Sequence, residues 1–137
     1  MSLVLPRNAI NTISQASDPK RAILDFVGDL SGVELIGDRI LIGTYIRPEK
    51  TRGGIIRPDS NKDEDVWQGK AGLVLKWGPD AFVNPETGNL YDQVVQEGEW
   101  CVFFIGDAKP LHVKGYPCRI VRDTSICMKI KDPEAVL

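Results

Sequence analysis

Two runs of alternating apolar residues, GDRILIGTYI beginning at Gly37 and GKAGLVLKW ending at Trp77, enclose the segment RPEKTRGGIIRPDSNKDEDVWQ. No other stretch of the chain constrains the fold as much. Ile40, Ile42, Thr44 and Ile46 share one side of an extended chain, as do Ala71, Leu73, Leu75 and Trp77, the pattern of strands with one buried face. Between them, Pro48 and Pro58 remove backbone donors and restrict their neighbours, and Gly53-Gly54 is entropically costly to order. The run DSNKDED at 59–65 carries four acids and one lysine and belongs in water. So long a connection without its own periodicity is, inside a compact domain, functional or disordered. The expectation is a mobile loop over about residues 47–68 whose tip is the apolar pair Ile55 and Ile56. The alternative is a hairpin that packs the pair back on the folded body.

A chain of 137 residues is long enough for one domain with a real core and too short to divide comfortably. Acids outnumber bases by 19 to 17 and basic residues form no block, which argues against a nucleic-acid partner. No apolar run approaches the roughly 20 residues of a membrane span. The opening MSLVLPRNAI lacks the charged start and apolar core of a signal peptide, so a cytoplasmic protein without membrane partner is expected.

Asp18-Pro19 reads as a helix start, Asp as N-cap and Pro at the first helical position. Ile23, Phe26, Val27 and Leu30 then form one apolar stripe ending at Gly32, a helix of about a dozen residues. A helix that short needs a surface to pack on, either the chain's own sheet or a partner or neighbouring subunit. Farther on, Phe82-Val83 and Leu90-Tyr91 flank NPETGN, a hairpin over about residues 79–92. The consecutive apolar residues at 100–105 suit a central strand or one pressed against a neighbour. KPLHVK at 109–114 is a short strand or loop, and residues 119–123 and 126–130 read as two strands joined at Asp123, Thr124 and Ser125.

The order of these features resembles the chaperonin-10 family, the GroES-like co-chaperonins. The resemblance rests on GDRILI, KTRGGII, a Gly-containing strand ending in WGP, EGEWCVFF, and CRIVRDTSICMKI, in that order and at similar spacing from about residue 33 to 130. It implies an all-β protomer, a small antiparallel β-barrel with a long mobile loop, a roof hairpin and, here, an added N-terminal helix. On this reading residues 1–32 are an extension and residues 33–137 the GroES-like domain. It further implies a homo-oligomeric ring of seven, whose head-to-tail contacts cover apolar strand edges such as 100–105. The ring would be a lid on an ATP-dependent chaperonin of the GroEL type that assists protein folding. The chaperonin-binding residues carried over are Gly53, Gly54, Ile55, Ile56 and Arg57. Arg57 stands where the family has a third apolar residue, usually Leu, a departure that fits a divergent or phage-encoded member.

An enzyme finds little support in the residues. There is no G-x-S-x-G, no H-E-x-x-H and no Walker-type phosphate loop, and no catalytic residue is assigned. Cys101, Cys118 and Cys127 with His112 could in principle ligate zinc, but no C-x-x-C pair exists, so small buried hydrophobes are expected and no metal or cofactor. The alternative to a lid is a structural or assembly β-barrel module, such as a virion component, without a chaperonin partner.

Overall fold

The structure, a computed structural model, describes residues 18–46 and 70–133. Helix α1 spans Pro19–Val27, and six strands follow: β1 Arg39–Thr44, β2 Ala71–Trp77, β3 Trp100–Phe103, β4 Lys109–Val113, β5 Tyr116–Arg122 and β6 Ile126–Ile130. They form one sheet in the order β4-β5-β1-β2-β3-β6, each neighbouring pair antiparallel. Strands β5 and β6 are four places apart in that order, about 19 Å in a flat sheet. Only the 3-10 turn Asp123–Ser125 joins them, and it reaches at most about 14 Å. The sheet must therefore curl, which is the geometry of a small barrel. No helix among the described residues is long and apolar enough to cross a membrane.

Both faces of the central strands are buried, against the expectation of one. Ile40, Ile42 and Val74 join Ala81, Phe82, Val95, Cys101, Phe103 and Val121 in one apolar cluster. Leu41, Leu73 and Leu75 join Tyr45, Ile46, Trp100, Tyr116 and Cys118 in another, together with Ile23 and Val27 of α1. The second face is buried because the helix lies on it, so the stripe read in the sequence packs on the chain's own sheet. Asp18 caps α1 by accepting from the Arg21 N–H at 3.3 Å. The helix stops at Val27 rather than running on to Leu30, with Gly28 at φ 62° and the Asp29 carboxylate accepting from the Ser31 N–H and hydroxyl. Leu30 still packs against the same cluster, from the irregular segment beyond the helix.

Alternation fails at two places for identifiable reasons. The β1–β2 register pairs Leu41 with Lys76 and Ile42 with Val74, leaving Leu75 as an extra residue in a bulge. A bulge swaps the faces beyond it, so Trp77 packs with the other cluster from Leu73 and Leu75, contrary to the simple reading. Ile46 lies past the end of β1 and joins Tyr45 on the helix face instead of following Ile42.

The apolar run at 100–105 also divides: β3 stops at Phe103, Phe104 is 57% exposed and Ile105 begins a 3-10 turn. Because β3 lies between β2 and β6, it is an interior strand and offers no edge. The terminal strands are β4 and β6. KPLHV is thus a strand, and residues 119–123 and 126–130 do not pair with each other. The expected hairpin is present, with a Val83–Leu90 bridge and the Tyr91 N–H donating to the Phe82 carbonyl at 2.8 Å.

Candidate functional site: the foot of the long loop

The expected docking residues, Gly53, Gly54, Ile55, Ile56 and Arg57, lie outside the described residues. What the structure places is the pair of chain ends from which residues 47–69 depart. Strand β1 leads out through Tyr45 and Ile46 and β2 leads back through Lys70, side by side, with Thr44 opposite Gly72. The Tyr45 N–H donates to the Ala71 carbonyl at 3.0 Å, and the Phe103 N–H donates to the Lys70 carbonyl at 2.9 Å. Tyr45 and Ile46 are both buried, the Tyr45 ring meeting Trp100 edge-on at 5.4 Å.

Two glycines let the strands close to this distance. A Cβ on Gly72 would overlap the Ile42 side chain and lie 2.8 Å from the Gly43 carbonyl oxygen, which as backbone cannot move aside. A Cβ on Gly43 would meet Ile23 Cγ2 at 3.1 Å and Leu75 Cδ1 at 3.3 Å, so Gly43 is the hole into which the helix drives its Ile23 knob.

Tyr116, fully buried at the start of β5, donates its hydroxyl to the Thr44 carbonyl. Burial pushes the phenol well above its ordinary range, which keeps the proton on the oxygen and preserves the donor. The Thr44 hydroxyl is buried and finds no partner among the described residues.

At the opposite end of β1 the GDR motif is structural. Asp38 bridges Arg39 at 2.7 Å and Arg122 at 2.9 Å, tying the start of β1 to the end of β5. The Gly37 and Arg39 carbonyls accept from the Asp80 and Gly78 N–H groups at 2.9 and 2.7 Å, which anchors the WGP turn. Hydrogen bonding from Arg122, with Arg39 adding to it, holds the Asp38 carboxyl below its usual range.

No group of three or more His, Cys, Asp or Glu side chains among the described residues could hold a metal ion. Cys101 and Cys118 are buried, as expected, and burial pushes each thiol up to about 12, while Cys127 is exposed. His112 lies exposed on β4. The meeting of Tyr116, Gly43 and Ile23 depends on register between β1 and β5 and on the placement of α1, which local sequence pattern does not carry.

The described residues form a small curled antiparallel sheet in which residues 47–69 connect two adjacent interior strands, β1 and β2. Family comparison makes the class specific: the model of the Chaperonin 10 Kd subunit matches residues 32–130, and the chain belongs to that family. It is similar to the curated protein Co-chaperonin GroES of Dinoroseobacter shibae, 31% identical over 98 residues that cover 72% of this chain and 89% of the relative. Co-chaperonin GroES of Caldicellulosiruptor saccharolyticus is 29% identical over 97 residues, 71% of this chain and 95% of the relative. Co-chaperonin GroES 1 of Rhodopirellula baltica is 27% identical over 95 residues, 69% and 88% respectively. Helix α1 lies ahead of the matched span.

Proposed function

We propose that this protein is a non-enzymatic co-chaperonin, a ring-forming lid that docks on a GroEL-type chaperonin through the loop centred on Ile55 and Ile56. The observation that carries the reading is the family match over residues 32–130, supported by the loop's two ends standing together on β1 and β2. Burying Ile55 and Ile56 contributes about 1.5–3 kcal/mol each. Ordering the loop takes back several kcal/mol, so one arm binds at about the millimolar range or weaker. Several arms on one ring, seven by the family pattern, bind together far more tightly and still release together when the partner changes state. Gly53 and Gly54 allow the turn at the tip, and Arg57 adds a polar contact where relatives of the family type have an apolar one. ATP hydrolysis belongs to the chaperonin.

The test is refolding of a denatured substrate by a GroEL-type chaperonin with ATP, with and without this protein. Stimulated release of folded substrate, accompanied by co-sedimentation of the protein with the chaperonin, is the expected result. Absence of both with GroEL-type chaperonins from several bacteria would remove the reading.

A further inference from the structure

Helix α1 lies ahead of the family match, yet it sits on the foot of the loop. Its Ile23 fills the hole over Gly43, one residue before Thr44. Its Phe26 ring lies 5.8 Å from the Tyr116 ring at an interplanar angle of 54°. Tyr116 in turn donates to the Thr44 carbonyl, the last peptide group of β1 before Tyr45 and Ile46. The segment behind the helix is clasped as well, the Lys114 ammonium donating to the Asp29 carbonyl at 2.6 Å and Lys76 to the carbonyls of Leu30 and Val33.

We propose that α1 is a built-in brace: Ile23 and Phe26 hold Tyr116 against the Thr44 carbonyl and so fix the direction in which the chain leaves β1. Ile23, Phe26 and Tyr116 are then positioning residues for partner capture, and none of them touches the partner. A chain that departs in a fixed direction has fewer conformations to lose on docking. Loosening the foot lowers the fraction of competent arms, and apparent affinity falls by that fraction for every arm engaged. In its binding readout this inference rests on the co-chaperonin reading above.

Tyr116→Phe deletes one hydroxyl and keeps the packing, while Phe26→Ala deletes the ring contact and Phe26→Leu restores most of its volume. Each full-length variant is followed by native mass, by amide exchange at Tyr45 against Val121 at the far end of β1–β5 pairing, and by affinity for a GroEL-type chaperonin with ATP. The brace predicts parental ring mass and unchanged Val121. It also predicts Tyr45 exchange faster by about tenfold or more, affinity weaker by about tenfold or more, and recovery of both in Phe26→Leu. Exchange that rises equally at Tyr45 and Val121 marks mere packing and overturns the brace, as does unchanged exchange at Tyr45. Parental affinity in variants with a loosened foot overturns it too. A parent that binds no chaperonin counts against the co-chaperonin reading, and the exchange pattern alone then decides the brace.

Discussion

The two faces of the central strands are both buried, but by covers of different kinds. On one face the cover is residues 79–95, inside the family match, fastened by a carboxylate and an indole. The Asp123 carboxylate accepts from the Phe82 N–H at 2.8 Å, holding a residue whose φ is 59°, and the Trp77 indole donates to the Val95 carbonyl at 2.9 Å. On the other face the cover is α1, ahead of the match, fastened by a knob at Gly43 and by lysines on backbone carbonyls. A sheet whose second face is covered by an element ahead of the family match can vary that cover without redesigning the matched strands. The helix cover is also the one that reaches the end of β1, where residues 47–69 begin.

The comparison can be broken most forcefully on the hairpin face. Phe103→Ala there removes a fully enclosed ring from an interior strand and should cost about 3–5 kcal/mol, read from denaturant unfolding. Ile23→Ala on the helix face should cost about 2–4 kcal/mol by the same measurement. The cysteines sharpen this pair, since Cys118 lies in the helix-face cluster and Cys101 in the other. In the Ile23→Ala chain, thiol labelling under native conditions should accelerate at Cys118 and stay at the parental rate at Cys101. Equal acceleration would mean that the faces open as one unit.

At the foot itself, Thr44→Val should stabilise by about 1 kcal/mol, because the buried hydroxyl gives up no hydrogen bond to any described residue. A loss of stability would show that the hydroxyl has a partner outside the described residues. The smallest effect belongs to neither face. Asp38, with its carboxyl depressed by Arg122 and Arg39, contributes stability that is complete above the ordinary carboxylate value near about 4 and is lost as pH falls through the lower folded value. Arg122 is largely exposed and water screens the pair, so its contribution is small. Asp38→Asn should lower the melting temperature slightly near neutral pH and converge on the parent at low pH, so that the acid limb of the melting profile flattens.

Local chemistry made much of the fold legible. The Asp18-Pro19 start, the NPETGN turn and the alternation of Ile40 with Ile42 are decided by residues within a few positions of one another, and each stands where expected. The bulge that turns Trp77 to the other face and the interior place of β3 are decided by pairing across the chain. Local pattern cannot carry that information. The same holds for the candidate site: the proposed docking tip rests on Gly53-Gly54-Ile55-Ile56, residues outside the described ones, whereas the contacts among Tyr116, Gly43 and Ile23 exist only through register and helix placement.

The most direct measurement on the central claim is capping of a GroEL-type chaperonin in ATP by the parent and by the Ile55→Ser/Ile56→Ser double variant, with native mass measured on both. The account predicts an unchanged ring mass, because on the proposed reading the tip serves docking and not the barrel, together with loss of capping, because each arm would lose its apolar anchor and the loss would multiply over the ring. Arg57→Leu in the same assay should tighten capping by restoring a third apolar residue. A double Ser variant that caps as well as the parent would contradict the account, since the loop would then not be the docking element.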